Sequence, residues 1–521
     1  MAYHKIPNKS EYDVIVIGGG MGGLSAGAGL AHRGADVLVV EAHYHAGGYA
    51  HSFRRKEFLF DSAVHLSPGG GKGEGIYSLL EEWGVEDRVE FIRIDPMYRT
   101  MGPGLETYIR SGKEEFIESH AQYFPAERDG IRKFVETMDR IAAEIRVLGG
   151  LDIPPSQMMR VMVKQCPTVL RFSSKSLQQM ISQFVSDPIA QSVLSTLWTY
   201  LGLPPSKCSA VAFAVMMMSF VNENAYYVKG TFQNLADAFV LALEKAGGEM
   251  VMPRRVARIM LDEKGRACGV KLDGDGEEIR AKCVVSNADA FQTFFGMIGR
   301  ENLDPEFARS LEDRPLSVSA FEVFLGVKMD LHSMGAIHET FFAPGHNPEE
   351  VYENHARGDV FGCGLSIPSL DDPSVAPAGH HTVCITMFAP YQRSWKDDKA
   401  RVTDELIAEA EKVLPGLRQN IVYQDSGTPL TMNRYTSNHM GAIYGWDASP
   451  KSLATRLAME TPVPGLFLAG HWTRPGGGIY AVITSGQIAA KRVIRELESM
   501  NSSSAAPRAI SPATDLSVQS V

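Results

Sequence analysis

Residues 12–48 have the sequence YDVIVIGGGMGGLSAGAGLAHRGADVLVVEAHYHAGG, in which ten glycines lie among runs of aliphatic residues. Residues 14–17 and 37–40 have the composition of buried strands, and residues 24–32 have that of a helix. Residues 18–23 supply the tight turn that joins the first strand to the helix. This order predicts a βαβ unit and therefore an α/β fold built on a parallel sheet.

The spacing of the glycines predicts a dinucleotide site. Gly18, Gly20 and Gly23 fit the pattern in which the first glycine turns the chain, the second admits a pyrophosphate, and the third lets the helix meet the strand. The helix start offers amide donors and a positive dipole end to phosphates. Glu41 ends the second strand, where its carboxylate can accept hydrogen bonds from ribose hydroxyls. Together these features favour a nucleotide cofactor over a simple packing turn.

A second glycine cluster favours FAD over NAD. Residues 465–497 have the sequence GLFLAGHWTRPGGGIYAVITSGQIAAKRVIREL, which predicts a short buried strand, a glycine turn and an amphipathic helix. The start of this helix can stabilise the negative charge of a reduced flavin. Gly47 and Gly48 also follow Glu41 closely. We therefore expect FAD.

Composition excludes several classes of protein. The 521 residues carry a formal net charge of -10 without a basic stripe, so we expect no nucleic-acid partner. The six cysteines lie far apart, which favours reduced thiols in a cytoplasmic protein. No apolar signal region begins the sequence, and the longest apolar run, residues 210–221, is shorter than the roughly 20 residues of a spanning helix. We expect residues 501–521 to be a disordered tail.

Helical patterns dominate residues 151–221, and methionines are enriched there. Met side chains adapt to irregular apolar ligands, although ordinary core packing explains them equally well. The seven methionines of this segment are Met158, Met159, Met162, Met180, Met216, Met217 and Met218.

Seven segments resemble the family of FAD-dependent carotenoid (phytoene) desaturases, carotenoid isomerases and retinol saturases, a branch of the flavin amine oxidase-like superfamily. They are VIGGGMGGLSAGAGLAHRGADVLVVEA, FDSAVHL, YYVKGTFQNLADAFVLALEKAGGE, VVSNADA, SAFEVFLGVKMDL, PAGHHTVCITMFAPY and GLFLAGHWTRPGGGIYAVITSGQIAA. The resemblance implies an α/β fold with a discontinuous Rossmann-like FAD-binding domain, an inserted α+β substrate domain and a helical lid. It also implies a long apolar substrate, a polyene or isoprenoid, drawn from a membrane by a peripherally bound enzyme.

The domain boundaries follow from this resemblance. The FAD-binding domain takes residues 10–95, 231–290 and 441–500. The substrate domain takes a helical part, residues 96–230, and a sheet, residues 291–440.

The resemblance also implies the residues of the site. The cofactor-binding residues would be Gly18, Gly20, Gly22, Gly23, Glu41, Ala42, Gly47, Gly48, Tyr49, Val256, Gly470, His471, Gly478 and Ile479. Arg474 and Tyr480 would lie beside the flavin ring as catalytic residues, and His65 would be either a proton donor or a structural histidine. Many relatives have other residue types at Tyr49, His471, Arg474 and Tyr480.

Other polar residues have simpler interpretations. His43, His45 and His51 crowd one loop, but no matching acid or thiol accompanies them, so we expect no metal site. Glu322 and Lys328 would be solvated positions on a strand.

The sequence thus predicts an FAD-dependent oxidoreductase that acts on carbon–carbon bonds of a long apolar substrate. Desaturation, saturation and cis–trans isomerisation all remain open, with a preference for oxidation because a cation such as Arg474 favours hydride acceptance. The alternatives are a flavin amine oxidase and a prenyl-binding protein like the Rab GDP-dissociation inhibitors, whose glycine signature is degraded. The oligomeric state stays open.

Overall fold

The computed structural model describes residues 6–150, 155–274 and 276–504. In chain order the strands are β1 (Glu11–Ile17), β2 (Val37–Val40), β3 (Ser52–Arg55), β4 (Phe58–Asp61), β5 (Phe91–Arg93), β6 (Tyr98–Gly102), β7 (Leu105–Ile109), β8 (Tyr226–Val228), β9 (Glu249–Val251), β10 (Val256–Leu261), β11 (Ala267–Leu272), β12 (Glu278–Ser286), β13 (Ser319–Val327), β14 (Glu339–Phe342), β15 (Cys363–Ser366), β16 (His381–Ala389), β17 (Ile421–Gly427) and β18 (Leu466–Leu468).

The α-helices separate these strands. In chain order they are α1 (Met21–Ala31), α2 (Gly75–Glu82), α3 (Lys113–Ala121), α4 (Arg128–Gly150), α5 (Pro155–Gln165), α6 (Pro167–Phe172), α7 (Leu177–Ile181), α8 (Pro188–Leu194), α9 (Ala210–Glu223), α10 (Gln233–Lys245), α11 (Pro305–Glu312), α12 (Pro348–Arg357), α13 (Trp395–Glu411), α14 (Pro429–Thr436), α15 (Pro450–Thr455) and α16 (Ile479–Ser504). No helix of the described ranges is both long and apolar enough to cross a membrane.

The first sheet contains both glycine-rich segments. Its strand order is β10-β11-β12-β1-β2-β9, and β18 adds to β12. Strand β1 pairs in parallel with β2 and β12, and β18 pairs in parallel with β12. Helix α1 connects β1 to β2 and packs against α10 and α16. The predicted βαβ unit is therefore confirmed, except that its helix begins earlier, at Met21, because Gly20 takes an extended conformation and acts as the N-cap.

The second sheet has the order β17-β13-β16-β15-β14-β6-β7 and is antiparallel except where β14 pairs with β6. One face of β13 packs on α13 through Phe321, Val323 and Leu325, which share one apolar core with that helix. All nine residues of β13 are buried. Both faces of this strand are therefore covered.

Two expectations about organisation differ from the structure. The range 96–230, expected to be helical, also contains β6, β7 and β8, and the first two belong to the second sheet. The expected tail begins too early, because residues 501–504 continue α16. The rest of the tail, residues 505–521, lies outside the described residues. The division into domains stays a prediction.

Candidate functional site

A cavity of about 1850 Å³ is lined by residues of both sheets and of α4, α5 and α9. Pockets for a single small ligand usually measure roughly 300–1,000 Å³. This cavity therefore has room for a dinucleotide and a second long molecule. All of the residues predicted for the cofactor and for catalysis line it except Gly23. Their individual roles stay predictions.

Gly23 is the predicted cofactor residue that does not line the cavity, and its place in the cofactor site stays a prediction. A Cβ on Gly23 would overlap the carbonyl oxygen of Gly18, and Gly23 does not contribute to the cavity wall. Its missing side chain lets α1 approach β1. Gly23 is therefore a packing residue.

Glycines bring the two ends of the chain together. A Cβ on Gly22 would lie 2.8 Å from the Cα of Gly470, and one on Gly48 would lie 3.0 Å from the Cα of Gly20. Only bare backbone fits at such distances. The N-terminal turn and the segment that follows β18 therefore meet directly in the cavity wall.

Glu41 lies at the nucleotide end of the cavity. Its Oε2 accepts a hydrogen bond from the backbone N of Gly19 at 2.5 Å, and its Oε1 accepts one from the backbone N of His43 at 2.6 Å. A carboxylate has about four acceptor positions, so capacity remains for ribose hydroxyls. Burial raises the pKa of Glu41, while the amides that donate to it act in the opposite direction.

The start of α16 forms another part of the wall. Gly478 has a φ of +98°, and the position where its Cβ would lie is open. Directly after it, the first-turn amides of α16 begin at Ile479. Two helix starts and an open glycine cradle are features that suit the phosphates and ring of a flavin dinucleotide. The residues present therefore fit such a cofactor.

Tyr49 and His471 are half-buried neighbours in this wall, with ring centroids 6.1 Å apart. The hydroxyl of Tyr49 donates to the carbonyl of Ala442 at 3.2 Å. Burial raises the pKa of Tyr49 to about 12 and lowers the pKa of His471 to about 3, with Arg456 adding to the effect on the histidine. Both side chains are therefore uncharged at neutral pH.

A second arginine near the glycine turn, Arg456, is held inside the protein, and the role predicted for Arg474 stays a prediction. Arg474 is exposed at the cavity rim, whereas Arg456 is 5% exposed. Arg456 donates to four backbone carbonyls, those of Thr473, Tyr444, Trp446 and His471. Its Cζ would lie 3.3 Å from a Cβ on Gly476. Sequence reasoning missed Arg456 because no motif distinguishes it from a surface arginine.

Tyr480 closes the cavity on the side of α9. Its hydroxyl donates to Glu223 at 3.1 Å, and its ring packs against Gly69 and Gly75. Burial raises the pKa of Tyr480 above its ordinary range, and Glu223 adds to this effect. Tyr480 is therefore a wall residue held in one position.

His65 belongs to a buried cluster with two carboxyl groups, Glu339 and Glu322. The Nδ1 of His65 lies 3.7 Å from an Oε1 of Glu339. Burial by itself lowers the pKa of His65, but the carboxylates of Glu339, Glu322 and Asp61 outweigh it and raise this pKa to about 9. His65 is therefore an imidazolium at neutral pH.

The structure contradicts the interpretation of Glu322 as a solvated position on a strand. It is 3% exposed and lines the cavity, and burial raises its pKa to about 7, against the opposing charge of His65. Lys328, by contrast, is exposed. The sequence carries one signal for Glu322, namely a lone acid in the otherwise apolar run SAFEVFLGV.

The histidine loop after Glu41 is held by hydrogen bonds. The Nδ1 of His51 donates to the carbonyl of Gly48 at 2.7 Å, and burial lowers the pKa of His51 to about 4. Across the described ranges, no group of three or more His, Cys, Asp or Glu side chains is arranged to hold a metal ion.

Known proteins are similar to this chain over most of its length. The family of flavin-containing amine oxidoreductases matches residues 21–494. An all-trans-retinol 13,14-reductase of Danio rerio is 26% identical over 503 residues, covering 88% of this chain and 82% of the relative. Prolycopene isomerase 1, a chloroplastic protein of an Oncidium hybrid cultivar, is 29% identical over 522 residues, covering 95% and 85%.

Solved structures share the fold. An oxidoreductase from Methanosarcina mazei superposes with a TM-score of 0.61 and 17% identity, covering 93% of this chain and all of that one. The predicted α/β fold class is confirmed, and so is the resemblance to carotenoid-converting and retinol-converting flavin enzymes. The chain belongs to the family of flavin-containing amine oxidoreductases and is a flavin-dependent enzyme.

Proposed function

We propose that this enzyme uses FAD to act on carbon–carbon bonds of a long, mostly apolar substrate, of the polyene, isoprenoid or fatty-acyl kind. One observation carries the proposal. The residues suited to a dinucleotide and a chamber with mainly apolar walls belong to one continuous cavity. A substrate in that chamber therefore has direct access to the cofactor. The relatives named above, a retinol reductase and a prolycopene isomerase, support this class of reaction.

FAD suits the site better than FMN because the chain offers groups for an adenosine half. Glu41 would accept hydrogen bonds from the ribose, Val256 would lie near the adenine, and the start of α1 would hold the pyrophosphate. The start of α16 would stabilise charge at the ring. When bound, the flavin supplies hydride transfer at its N5 atom.

The residues of the chain provide the environment for this chemistry. Tyr480 and the apolar side chains of α9 exclude water from the chamber. His65 and Glu322 are two of the groups able to hold a proton there. Arg456 places an internal positive charge next to the glycine turn, which favours accepting a hydride and thus oxidation.

Anaerobic mixing with candidate substrates tests the function. The reduced protein and the oxidised protein are each mixed with polyenes, prenyl alcohols, unsaturated fatty-acyl compounds and simple amines, and the flavin spectrum and product masses are followed. Loss of two hydrogens supports desaturation, a gain supports saturation, and unchanged mass with altered retention supports isomerisation. Bleaching by amines alone, with formation of aldehyde, would contradict carbon–carbon chemistry and favour the amine oxidase.

We also propose that the enzyme meets a membrane surface at α4 and α5. Three large apolar side chains are exposed there, namely Val147 at 45%, Met159 at 61% and Val163 at 57%. Met159 and its neighbour Met162 also line the cavity. An apolar surface that leads into an apolar cavity suits a substrate taken from lipid. The cytoplasmic location remains a prediction.

A further inference from the structure

Three side chains of the second sheet that line the cavity have buried polar atoms without partners within the described ranges. These atoms are the Oε2 of Glu322, the Oε2 of Glu339 and the Oγ1 of Thr386, which have no hydrogen-bond partner within the described ranges. Glu322 is 3% exposed and Glu339 is 2% exposed. Leaving a buried polar atom unpaired is costly, so nearly all such atoms in folded proteins are paired with protein, water or ligand. These three atoms therefore mark a place for a polar group of another molecule.

The three side chains share one face of the second sheet. Glu322 on β13 is directly opposite Thr386 on β16, and side chains opposite each other in an antiparallel pair point to the same face. Glu322, Thr386 and Glu339 all line the cavity. Phe341 and Phe388 line it beside them. The three polar side chains thus face the cavity from one face of the second sheet, within an aromatic and aliphatic wall.

The charges around these three side chains decide which class of polar group suits them. The imidazolium of His65 lies against Glu339 and already neutralises one carboxylate. Burial raises the pKa of Glu322 to about 7, so this carboxyl group is protonated in part at neutral pH. An ammonium group on a ligand would be repelled by the imidazolium of His65. A hydroxyl, by contrast, can donate to a carboxylate oxygen and accept from Thr386.

We infer that Glu322, Glu339 and Thr386 form a subsite for a hydroxyl group, so that the substrate is a long apolar alcohol and not a pure hydrocarbon. The inference rests on the proposed function, since it names the substrate class for the same cavity. A hydrocarbon would leave all three polar atoms unpaired, and each such atom would then count against binding. A ligand hydroxyl can donate to one of the carboxylate oxygens and accept from Thr386 while its chain lies along the apolar wall.

Binding of three chain-matched probes to the purified flavin-loaded protein tests the subsite. The probes are geranylgeraniol, geranylgeranylamine and the hydrocarbon in which a methyl group replaces the alcohol carbon and its hydroxyl, all delivered from detergent micelles. Dissociation constants come from changes in flavin absorption and in protein fluorescence. We expect the alcohol to bind about 10- to 100-fold more tightly than the hydrocarbon, the usual size of a hydrogen bond to a charged group.

Variants connect the preference to the named residues. The Glu322→Leu/Thr386→Val double variant should lose most of the preference for the alcohol while binding the hydrocarbon at least as tightly as before. Glu322→Gln, which keeps an oxygen acceptor, should keep part of the preference. Glu409→Gln changes a buried acid on α13 that does not line the cavity, and it should keep the full preference. Flavin content and thermal unfolding confirm that each variant is folded.

Four results would overturn the inference: no binding of the alcohol, equal affinity for alcohol and hydrocarbon, tighter binding of the amine, or an unchanged preference in the double variant. Product analysis distinguishes a failure of the hydroxyl subsite from a failure of the proposed function. If the alcohol binds preferentially but its carbon–carbon bonds do not react, the subsite stands and the proposed function fails. If the hydrocarbon reacts without any preference for the alcohol, the proposed function stands and the subsite fails.

Discussion

Glu41 is the residue on which retention of the nucleotide half of FAD should depend most. Glu41→Ala removes an acceptor from the ribose and releases the amides of Gly19 and His43 that now donate to it. We expect FAD affinity to fall by about 1.5–3 kcal/mol, the usual contribution of a hydrogen bond to a charged group. Fluorescence titration of the apoprotein with FAD measures this loss. Glu41→Gln should lose less, and unchanged affinity in the Ala variant would remove Glu41 from the site.

Two arginines near the glycine turn, Arg456 and Arg474, lead to different predictions for the reduction potential of the bound flavin. Arg456 is buried, and the hydrogen bonds described above join it to backbone carbonyls. Arg474 is exposed, so solvent screens its charge. We therefore expect Arg456→Met to lower the reduction potential of the bound flavin by a few tens of millivolts. Arg456→Lys and Arg474→Met should change it less. A larger change in the Arg474 variant, measured by dye equilibration, would support the role predicted for Arg474 from sequence.

His65 should make stability depend on pH in the alkaline range. Its pKa is raised from 6.5 to about 9 because neighbouring carboxylates outweigh burial. Its contribution to the free energy of unfolding is therefore fully present below about pH 6.5 and lost as pH rises through about 9. Urea unfolding of His65→Asn against its parent, measured across this pH range, tests this. A difference that fails to shrink between about pH 6 and about pH 9.5 would contradict the assignment.

At the scale of elements, the contact between α1 and α16 holds both helix starts at the cavity. A Cβ on Gly486 would lie 2.6 Å from the Cβ of Ser25 and 2.7 Å from the backbone N of Ala26. Gly486→Ala should therefore lower the free energy of unfolding by about 1–3 kcal/mol and weaken FAD retention. The matched control is Gly296→Ala, since the nearest atom there is the Oε1 of Gln292 at 3.4 Å. Equal unfolding curves for the two variants would show that α1 and α16 tolerate a wider separation.

At the scale of the whole molecule, the exposed apolar side chains of α4 and α5 should govern binding to lipid. Met159→Glu/Val163→Glu places two charges on this surface and should reduce flotation with liposomes several-fold, because each charge opposes transfer out of water. Val422→Glu is the control, since Val422 is 44% exposed on β17, at the edge of the second sheet. Loss of flotation in both variants alike would point to a general effect of charge.

The parts of this protein that follow local rules can be predicted from its sequence alone. The order β1, α1, β2 follows from the periodicity of aliphatic residues and from glycines at positions that need bare backbone, such as Gly18 with its φ of +94°. The same reasoning located Glu41 at a strand end and Gly478 at a helix start. These features depend on neighbours within a few residues, so they can be recognised before the chain folds.

Tertiary structure decided the charges inside the cavity. From sequence, Glu322 is expected at a solvated position, because the alternation of a strand shows which residues share a face but not what covers that face. In the structure, α13 covers one face of β13, and the other face lines the cavity. Arg456 is internal because carbonyls from two separate segments, residues 444–446 and 471–473, converge on it. Only the packing of α1 on the Gly18 turn shows which side of Gly23 is filled. Burial of a charge depends on segments far apart in sequence, and only the folded chain brings them together.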